Sequence, residues 1–290
     1  MSSQTIQWFP GHMAKTERLI KENIKNVDFI IEMLDARVPI SSRNPDIAKL
    51  TEQKPRIILL NKADLADDRK TQEFCKRYTE KGCICIPTDA TSAKGFSAIK
   101  NAYTSLCAEK LERFESKGMS GRKLRCMVLG VPNVGKSSFI NKISGTKKAK
   151  VENRPGVTLN KQWVSTTIGI DLMDMPGVLW PKFDSQVVGE NLALTGAIKD
   201  DILDTETLAC TLVSRLRVLY PELLTARYRL TDEHLALADF EILEQIGKNR
   251  GFLLRGGVPD TEKVAKILLD EFRSAKLGRI TLDSLSEEDQ

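Results

Sequence analysis

Short apolar runs alternate with segments of helical periodicity along the first part of the chain. The runs show little polar alternation, which is typical of strands buried on both faces of a parallel sheet. We predict strands at 29–34, 56–60, 83–87, 124–129, 163–168 and 170–173. We predict helical segments at 12–27, 44–51, 67–81 and 97–117. This alternation predicts a doubly wound, mostly parallel α/β sheet.

The pattern changes after Pro181, where Leu, Ala and charged residues recur at helical spacing. We therefore predict an α/β domain over 1–181 and a smaller all-helical domain over 182–290. A length of 290 residues agrees with two domains of roughly 150 residues each. No apolar run approaches the ~18 residues that cross a bilayer, and no secretory signal pattern is present. These features predict a cytoplasmic chain with no membrane partner.

Charge is distributed unevenly along the chain. Residues 182–290 carry 14 Lys and Arg against 20 Asp and Glu, whereas residues 1–181 carry 30 against 19. The basic excess favours a polyanionic partner for the first part, although a well-solvated surface explains it equally well. Six cysteines are too sparse for a disulfide scaffold, and we expect reduced thiols that bind no metal.

A phosphate-binding loop follows the predicted strand 124–129. Gly130, Gly135, Lys136 and Ser137 match the pattern G-x-x-x-x-G-K-S, between a predicted strand and a predicted helix. Its backbone N–H groups and the helix N-terminus favour a bound phosphate, and the lysine would reach the β- and γ-phosphates. The candidate nucleotide-binding residues of this loop are Asn133, Val134, Gly135, Lys136, Ser137 and Ser138.

Three hydroxyl or carboxylate side chains are candidate Mg²⁺ ligands. Ser137 follows the loop lysine, and Asp174 ends a predicted strand in the pattern D-x-x-G, which closes at Gly177. The Gly177 N–H would face the γ-phosphate. Thr158 lies between these motifs and would close on the ion only when the γ-phosphate is present. A plain turn with an exposed threonine is the alternative for Thr158.

The segment Asn61-Lys62-Ala63-Asp64 follows another predicted strand and points to guanine. A carboxylate such as Asp64 can accept from both N1–H and the 2-amino group of guanine, and adenine lacks this donor pair. Asn61 would support the loop and the base edge, and the Lys62 stem would lie across the ring. Taken alone, these four residues could equally be a helix cap.

A backbone N–H for guanine O6 can come from two registers. Ser92-Ala93-Lys94 resembles the usual signature, but Gly95 and the next helix follow it too closely. The spacing favours Asp89 and Ala90, with Ala90 supplying the N–H. Both registers stay open from the sequence.

Together these motifs resemble those of the Ras-like GTPases in rotated order, because the base-specificity segment precedes the phosphate loop. The chain is similar to the bacterial ribosome biogenesis GTPase A family, a circularly permuted branch of that class. The segments that carry the resemblance are 8–13, 35–39, 154–158 and 196–200. It implies a GTPase that binds GTP or GDP with Mg²⁺ and acts late in maturation of the large ribosomal subunit. The implied partners are the subunit precursor, ribosomal RNA and ribosomal proteins, and we expect a monomer.

The position after D-x-x-G is Val178, where many Ras-like proteins place a glutamine that orients water. Slow intrinsic hydrolysis is therefore expected, with another group completing the site. Asn133 resembles the residue that binds K⁺ in some cation-activated GTPases. The resemblance implicates His12 in hydrolysis on the ribosome, and a structural role near a helix start is the alternative.

Two basic stretches are candidate RNA-contacting surfaces, because cations at helical spacing neutralise phosphates. One is the polar face of the first predicted helix and the other is a proposed helix edge near the C-terminus. Their residues are Lys15, Arg18, Lys21, Lys25, Arg273, Lys276 and Arg279. Without the resemblance both would be explained as solvated faces.

Three hypotheses for the whole chain follow. The first is a GTPase assembly factor activated by the ribosomal particle. The second is a GTP-gated RNA- or ribosome-binding module that needs little hydrolysis, which Val178 favours. A third, GTP-supported RNA modification, has no catalytic motif behind it.

Overall fold

The computed structural model describes residues 11–119, 121–145, 162–180, 183, 185–198 and 204–285. Its strands are β1 Phe29–Asp35, β2 Arg56–Asn61, β3 Ile84–Pro87, β4 Leu124–Leu129, β5 Gln162–Ser165 and β6 Ile170–Asp174. They form a six-stranded sheet in the order β3-β2-β1-β4-β6-β5. All neighbours are parallel except β5 and β6, which pair antiparallel at one edge. The mostly parallel α/β sheet is confirmed.

The helices within the described residues alternate with the strands and then continue alone. They are α1 Gly11–Asn23, α2 Pro45–Leu50, α3 Asp68–Glu80, α4 Phe96–Leu106, α5 Ala108–Ser116, α6 Lys136–Ser144, α7 Gln186–Leu194, α8 Thr205–Leu219, α9 Pro221–Tyr228, α10 Asp232–Leu235, α11 Asp239–Arg250 and α12 Thr261–Arg273. None of these helices is long and apolar enough to cross a membrane.

The central strands lie where the apolar runs predicted them. Every residue of β1 and β2 is buried, because helices cover both faces of the sheet. Polar residues fix where the flanking helices begin. Asn44 accepts from the N–H groups of Asp46 and Ile47 at the start of α2, and Asp67 accepts from Lys70 N–H at the start of α3.

The stretch 97–117, with its continuous amphipathic pattern, folds as two helices. Cys107 leaves helical geometry at φ −113° and ψ +21°, and α5, which begins after it, has no fully buried residue. Periodicity alone does not reveal this break, because the apolar spacing continues across it.

Two other predicted elements end early. The predicted helix 12–27 ends at Asn23, whose side-chain amide donates to Leu19 O at 2.7 Å, and a 3₁₀ turn follows at Ile24–Asn26. The predicted strand 163–168 ends at Ser165 because the chain turns back into β6, with Thr166 N–H donating to Ile170 O.

Residues 279–283, which we call the C-terminal strap, return from the helices to the sheet. The strap backbone donates from Ile280 N–H to Leu65 O at 3.2 Å and from Leu282 N–H to Arg37 O at 2.8 Å. The helices after residue 185 and the sheet also share one contiguous apolar cluster. The division at residue 181 stays a prediction.

Asp283 holds the strap in place through a buried carboxylate that is 1% exposed. It accepts from the N–H groups of Ile40 and Ser41 at 2.7 and 2.9 Å. It also accepts from the Ser41 hydroxyl and the Asn191 amide, both at 2.7 Å. One side chain therefore joins the loop after β1, the helix α7 and the strap.

We predict that Asp283→Ala lowers the free energy of unfolding by about 3 kcal/mol, because it leaves several buried donors without an acceptor. Urea denaturation measured by circular dichroism tests this. Asp270→Ala is the matched control, since Asp270 is an exposed aspartate of α12. Equal midpoints for the two variants would contradict the prediction.

Candidate functional site

The carboxyl ends of the parallel strands meet at one edge of the sheet, which is where ligands bind in open α/β folds. Strand β2 ends at Asn61, β6 ends at Asp174, and the loop after β4 begins at Gly130. The topology therefore brings together three motifs that are far apart in sequence.

The Asn61 side chain is the junction of these loops and is only 2% exposed. Its Nδ2 donates to Val134 O of the phosphate loop at 2.7 Å. Its Oδ1 accepts from Ala90 N–H at 3.0 Å and from the Thr88 hydroxyl at 3.3 Å. Thr88 was not predicted as a site residue. It directly precedes the Asp89-Ala90 pair, which was the only available signal.

The structure places the two candidate donors for guanine O6, Ala90 and Ala93, in different surroundings. Ala90 N–H lies beside Asn61, whereas Ala93 has a φ of +67° and its carbonyl accepts from Phe96 N–H at the start of α4. Asp89 closes this turn by accepting from the N–H groups of Thr91 and Ser92 at 2.7 and 3.2 Å. Because the Ala90 N–H already donates to Asn61 Oδ1, the choice between the two registers stays a prediction. Asp89 has a role within the turn.

Gly135 allows the junction to form. Its φ is +105°, and a Cβ there would lie 2.3 Å from Asn61 Nδ2. Any side chain would therefore displace the amide that joins the two loops.

Lys136 lies buried within the phosphate loop. Its Nζ donates to Gly130 O at 2.9 Å and to Val131 O at 2.8 Å. Burial lowers the pKa of the Lys136 ammonium to about 8, and the nearby Asp174 carboxylate opposes that shift. Burial likewise raises the pKa of Asp174, against the attraction of Lys136. Two opposite charges are thus held where a phosphate and its counterion would bind.

The D-x-x-G segment contacts the phosphate loop directly. A Cβ on Gly177 would lie 2.8 Å from Pro132 Cα and 3.0 Å from Lys136 Nζ. Val178 N–H donates to Gly130 O at 3.3 Å, and its side chain is 4% exposed. A buried valine cannot orient water, in agreement with the sequence argument.

Asp64 is exposed at the end of the base-specificity segment. Partial burial and the neighbouring Asp89 raise the pKa of its carboxyl, while the charges of Arg279 and Arg37 oppose the shift. The pKa of Asp64 is thus raised overall, and the two arginines only oppose this shift.

Lys62 is held by a buried ion cluster that the sequence did not predict as part of the site. Its Nζ lies 3.0 Å from Asp35 Oδ2, and Arg37 donates to both Asp35 carboxylate oxygens at 2.9 and 2.7 Å. Burial alone would raise the pKa of Asp35, but Arg37 and Lys62 hold it well below its usual range. The only signal was the Asp-Ala-Arg triplet at the end of β1.

Arg37 also connects this cluster to the helices. Its Nη2 donates to Thr195 O at 3.3 Å, and its guanidinium lies 5.6 Å from the Phe272 ring centroid. The phosphate loop makes a parallel contact, since Asn133 Nδ2 donates to Gly196 O at 2.7 Å. This contact leaves the Asn133 side-chain oxygen as the atom that could face a cation.

Four predicted RNA-contacting residues lie exposed on α1 and the turn after it: Lys15, Arg18, Lys21 and Lys25. Arg18 lies 3.4 Å from Glu22 and Lys21 lies 3.8 Å from Glu17, as exposed ion pairs within the helix. Such pairs are weak and leave the cations accessible to phosphate.

The predicted helix edge of Arg273, Lys276 and Arg279 does not form. Helix α12 ends at Arg273, so the other two lie beyond it. Arg273 donates to Leu194 O and Ala193 O at 2.9 and 3.0 Å, which satisfies carbonyls at the end of α7. Arg279 bonds to the loop after β2, and Lys276 is exposed.

The remaining site residues are placed only in part. Ser137 and Ser138 are half-buried in the first turn of α6. Thr158 lies outside the described residues. The backbone of His12 lies in α1, and its side chain lies outside the part of the chain that the structure describes.

Comparisons with known proteins show the family of this chain. A family model described as a 50S ribosome-binding GTPase matches residues 125–238. Ribosome biogenesis GTPase A of Bacillus cereus is 44% identical over 282 residues, which cover 97% of this chain and 95% of the relative. Mouse mitochondrial ribosome-associated GTPase 1 is 34% identical over 306 residues, which cover 96% and 90% respectively.

Solved structures share the fold. A GDP-bound YlqF structure aligns with a TM-score of 0.64 at 24% identity, covering 93% of this chain and all of that one. The structure of GNP-bound YlqF from T. maritima aligns with a TM-score of 0.62, covering 93% and 97%. The near-complete match to the Bacillus cereus relative is decisive, and this chain belongs to the ribosome biogenesis GTPase A family.

Proposed function

We propose that this GTP hydrolase is an assembly factor for the large ribosomal subunit and that a ribosomal particle activates it. The observation that carries the nucleotide part is the Asn61 junction, which unites the base-specificity segment, the phosphate loop and Ala90. Ribosome biogenesis follows from the family. The 50S-specific role is supported by the description of the matching family model.

Guanine selectivity rests on groups of opposite hydrogen-bonding character at the two sides of Asn61. The Ala90 N–H, which donates to Asn61 Oδ1 at 3.0 Å, would have to turn from this acceptor to guanine O6. Asp64 offers a carboxylate that suits N1–H and the 2-amino group. Adenine presents the reverse pattern at positions 1 and 6, so the same groups would repel it.

Mg²⁺ fits the donor set of the site, because hydroxyl and carboxylate oxygens are the ligands that this ion prefers. Asp174 ends β6 with a buried carboxylate, and Ser137 lies in the first turn of α6. These residues and Thr158 would hold the ion, which would neutralise phosphate charge. Lys136 and the N–H groups of the phosphate loop would orient the phosphates.

Hydrolysis needs a water-orienting group that Val178 cannot supply. We assign this role to His12, which contact with the ribosomal particle would bring toward the nucleotide. A K⁺ ion beside Asn133 would add positive charge at the β- and γ-phosphates. The two contributions are independent and can be tested separately.

We place the chain in the cytoplasm as a monomer that contacts ribosomal RNA and ribosomal proteins. The exposed cations of α1 support an RNA contact, because Lys15, Arg18, Lys21 and Lys25 all lie at the surface. A GTP-gated binding module with little need for hydrolysis is the second candidate. Buried Val178 favours it, and stimulation of phosphate release by ribosomal particles would decide against it.

We predict that the Kd for GDP rises roughly tenfold between pH 7 and pH 9, because Lys136 loses its charge above a pKa of about 8. Titration with a fluorescent GDP analogue at constant ionic strength measures this. Lys62→Met is the control, since burial also lowers the pKa of Lys62 and the slope should persist in this variant. A flat profile for the wild type would count against the phosphate role of Lys136.

We predict that His12→Ala lowers particle-stimulated GTP hydrolysis by about 10² to 10³, as expected for loss of a general base, and leaves the Kd for GDP unchanged. Phosphate release with purified large-subunit precursors measures the effect. His234→Ala is the matched control, because His234 caps α10 through Thr231. Equal rates for wild type and His12→Ala would exclude the role.

We predict that hydrolysis is about tenfold faster in KCl than in NaCl at equal ionic strength, because K⁺ would stabilise charge on the transferring phosphoryl group. Phosphate release without particles measures this. Equal rates in the two salts would remove the K⁺ site.

A further inference from the structure

The C-terminal strap lies along the loop that carries the base-specificity segment. Besides the bond from Ile280 N–H to Leu65 O, Asp67 N–H donates to the Thr281 hydroxyl at 3.2 Å. Lys70 Nζ donates to Thr281 O at 3.0 Å. The strap thus contacts three residues that follow Asp64, namely Leu65, Asp67 and Lys70.

Arg279 makes the contact closest to the base-specificity residues. Its Nη2 donates to Ala63 O at 2.6 Å and to Asp68 Oδ1 at 2.7 Å. Its Nη1 also contacts Asp68. Ala63 is the residue between Lys62 and Asp64, so the guanidinium reaches the middle of the segment.

Ala63 is fixed from both sides. Its N–H donates to Thr88 O at 3.1 Å, next to the turn that presents Ala90. Its carbonyl accepts from Arg279. Lys62 precedes it with a φ of +60°, a left-handed conformation that surrounding contacts must maintain. Without Arg279, the Ala63 carbonyl would have no hydrogen bond to the strap.

The ion pair with Asp68 does not explain the arrangement. The Arg279 and Asp68 side chains are 40% and 71% exposed, and an exposed pair of this kind contributes little to stability. The bond from Arg279 to Ala63 O instead fixes the position of the peptide that precedes Asp64. The Arg279 charge also favours the ionised form of Asp64, against burial and Asp89, which raise its pKa.

We propose that Arg279 is a positioning residue for guanine recognition: it holds the Ala63 carbonyl so that the Asp64 carboxylate meets N1–H and the 2-amino group of the base. This rests on the proposed function. It replaces the RNA contact predicted for Arg279 with a role inside the nucleotide pocket.

Discrimination between GDP and IDP tests the proposal, because inosine lacks the 2-amino group that only Asp64 would accept. In full-length wild type, GDP binds more tightly than IDP. In Arg279→Ala, the Kd for GDP rises about tenfold while the Kd for IDP rises much less, so the preference shrinks. Isothermal titration calorimetry measures both constants.

Three further variants separate position from charge and from folding. Arg279→Lys keeps a donor for Ala63 O and restores part of the preference. Asp68→Asn removes the ion pair but keeps the Ala63 bond, so it leaves the preference intact. Lys276→Ala removes an exposed cation from the same region and changes neither constant. Urea midpoints measured without nucleotide show whether Arg279→Ala is folded. If it is not, Arg279→Lys takes its place in the comparison of the Kd values for GDP and IDP.

Two failures are distinguishable. A wild-type chain that binds GDP no more tightly than IDP and ADP overturns the guanine pocket and this inference with it. A wild-type preference that survives in Arg279→Ala, or two constants that rise by the same factor, overturns the inference alone.

Discussion

The site depends on one buried side-chain amide. Asn61 uses its donor for the phosphate loop and its acceptor for Ala90 and Thr88, so the base-binding and phosphate-binding halves share a single side chain. Gly135 is required for the same reason, because a Cβ would occupy the position of the amide. The rotated order of motifs has no effect on this geometry, since parallel strands bring their carboxyl ends together whatever their order in the chain.

The sequence predicts the sheet and the loops on it well, and it predicts contacts between distant segments poorly. Apolar runs located the central strands because a strand buried on both faces leaves an unbroken hydrophobic pattern, as in β1 and β2. The run at 163–168 located the edge strand β5 but extended past its end at Ser165. The phosphate loop was recognised because its backbone needs glycine at fixed positions. The break at Cys107 was missed because hydrophobic spacing continues through it.

The long-range polar contacts were missed for a different reason. Arg273 and Arg279 belong to a locally basic stretch, and a local pattern cannot show whether a guanidinium faces solvent or a carbonyl more than 70 residues away. In the sequence, Asp35 and Arg37 stand out only as part of an Asp-Ala-Arg triplet at the end of a strand. In the structure they form a buried ion cluster with Lys62. Local chemistry predicts which groups could bind phosphate and base, and only the tertiary structure shows what holds these groups in place.

The strap has a consequence for how the chain folds while the ribosome is synthesising it. Arg279 and Ala63 are separated by 216 residues, so the loop emerges from the translating ribosome long before the segment that bonds to it. Closing so long a loop costs conformational entropy, and the strap contacts can offset this cost only after residues 279–283 have been made. The base-specificity loop thus receives this support only from residues made 216 positions after Ala63. A variant lacking 279–283 would keep the segment 61–64, the phosphate loop and the D-x-x-G segment, but its base-specificity loop would lack the bond from Arg279.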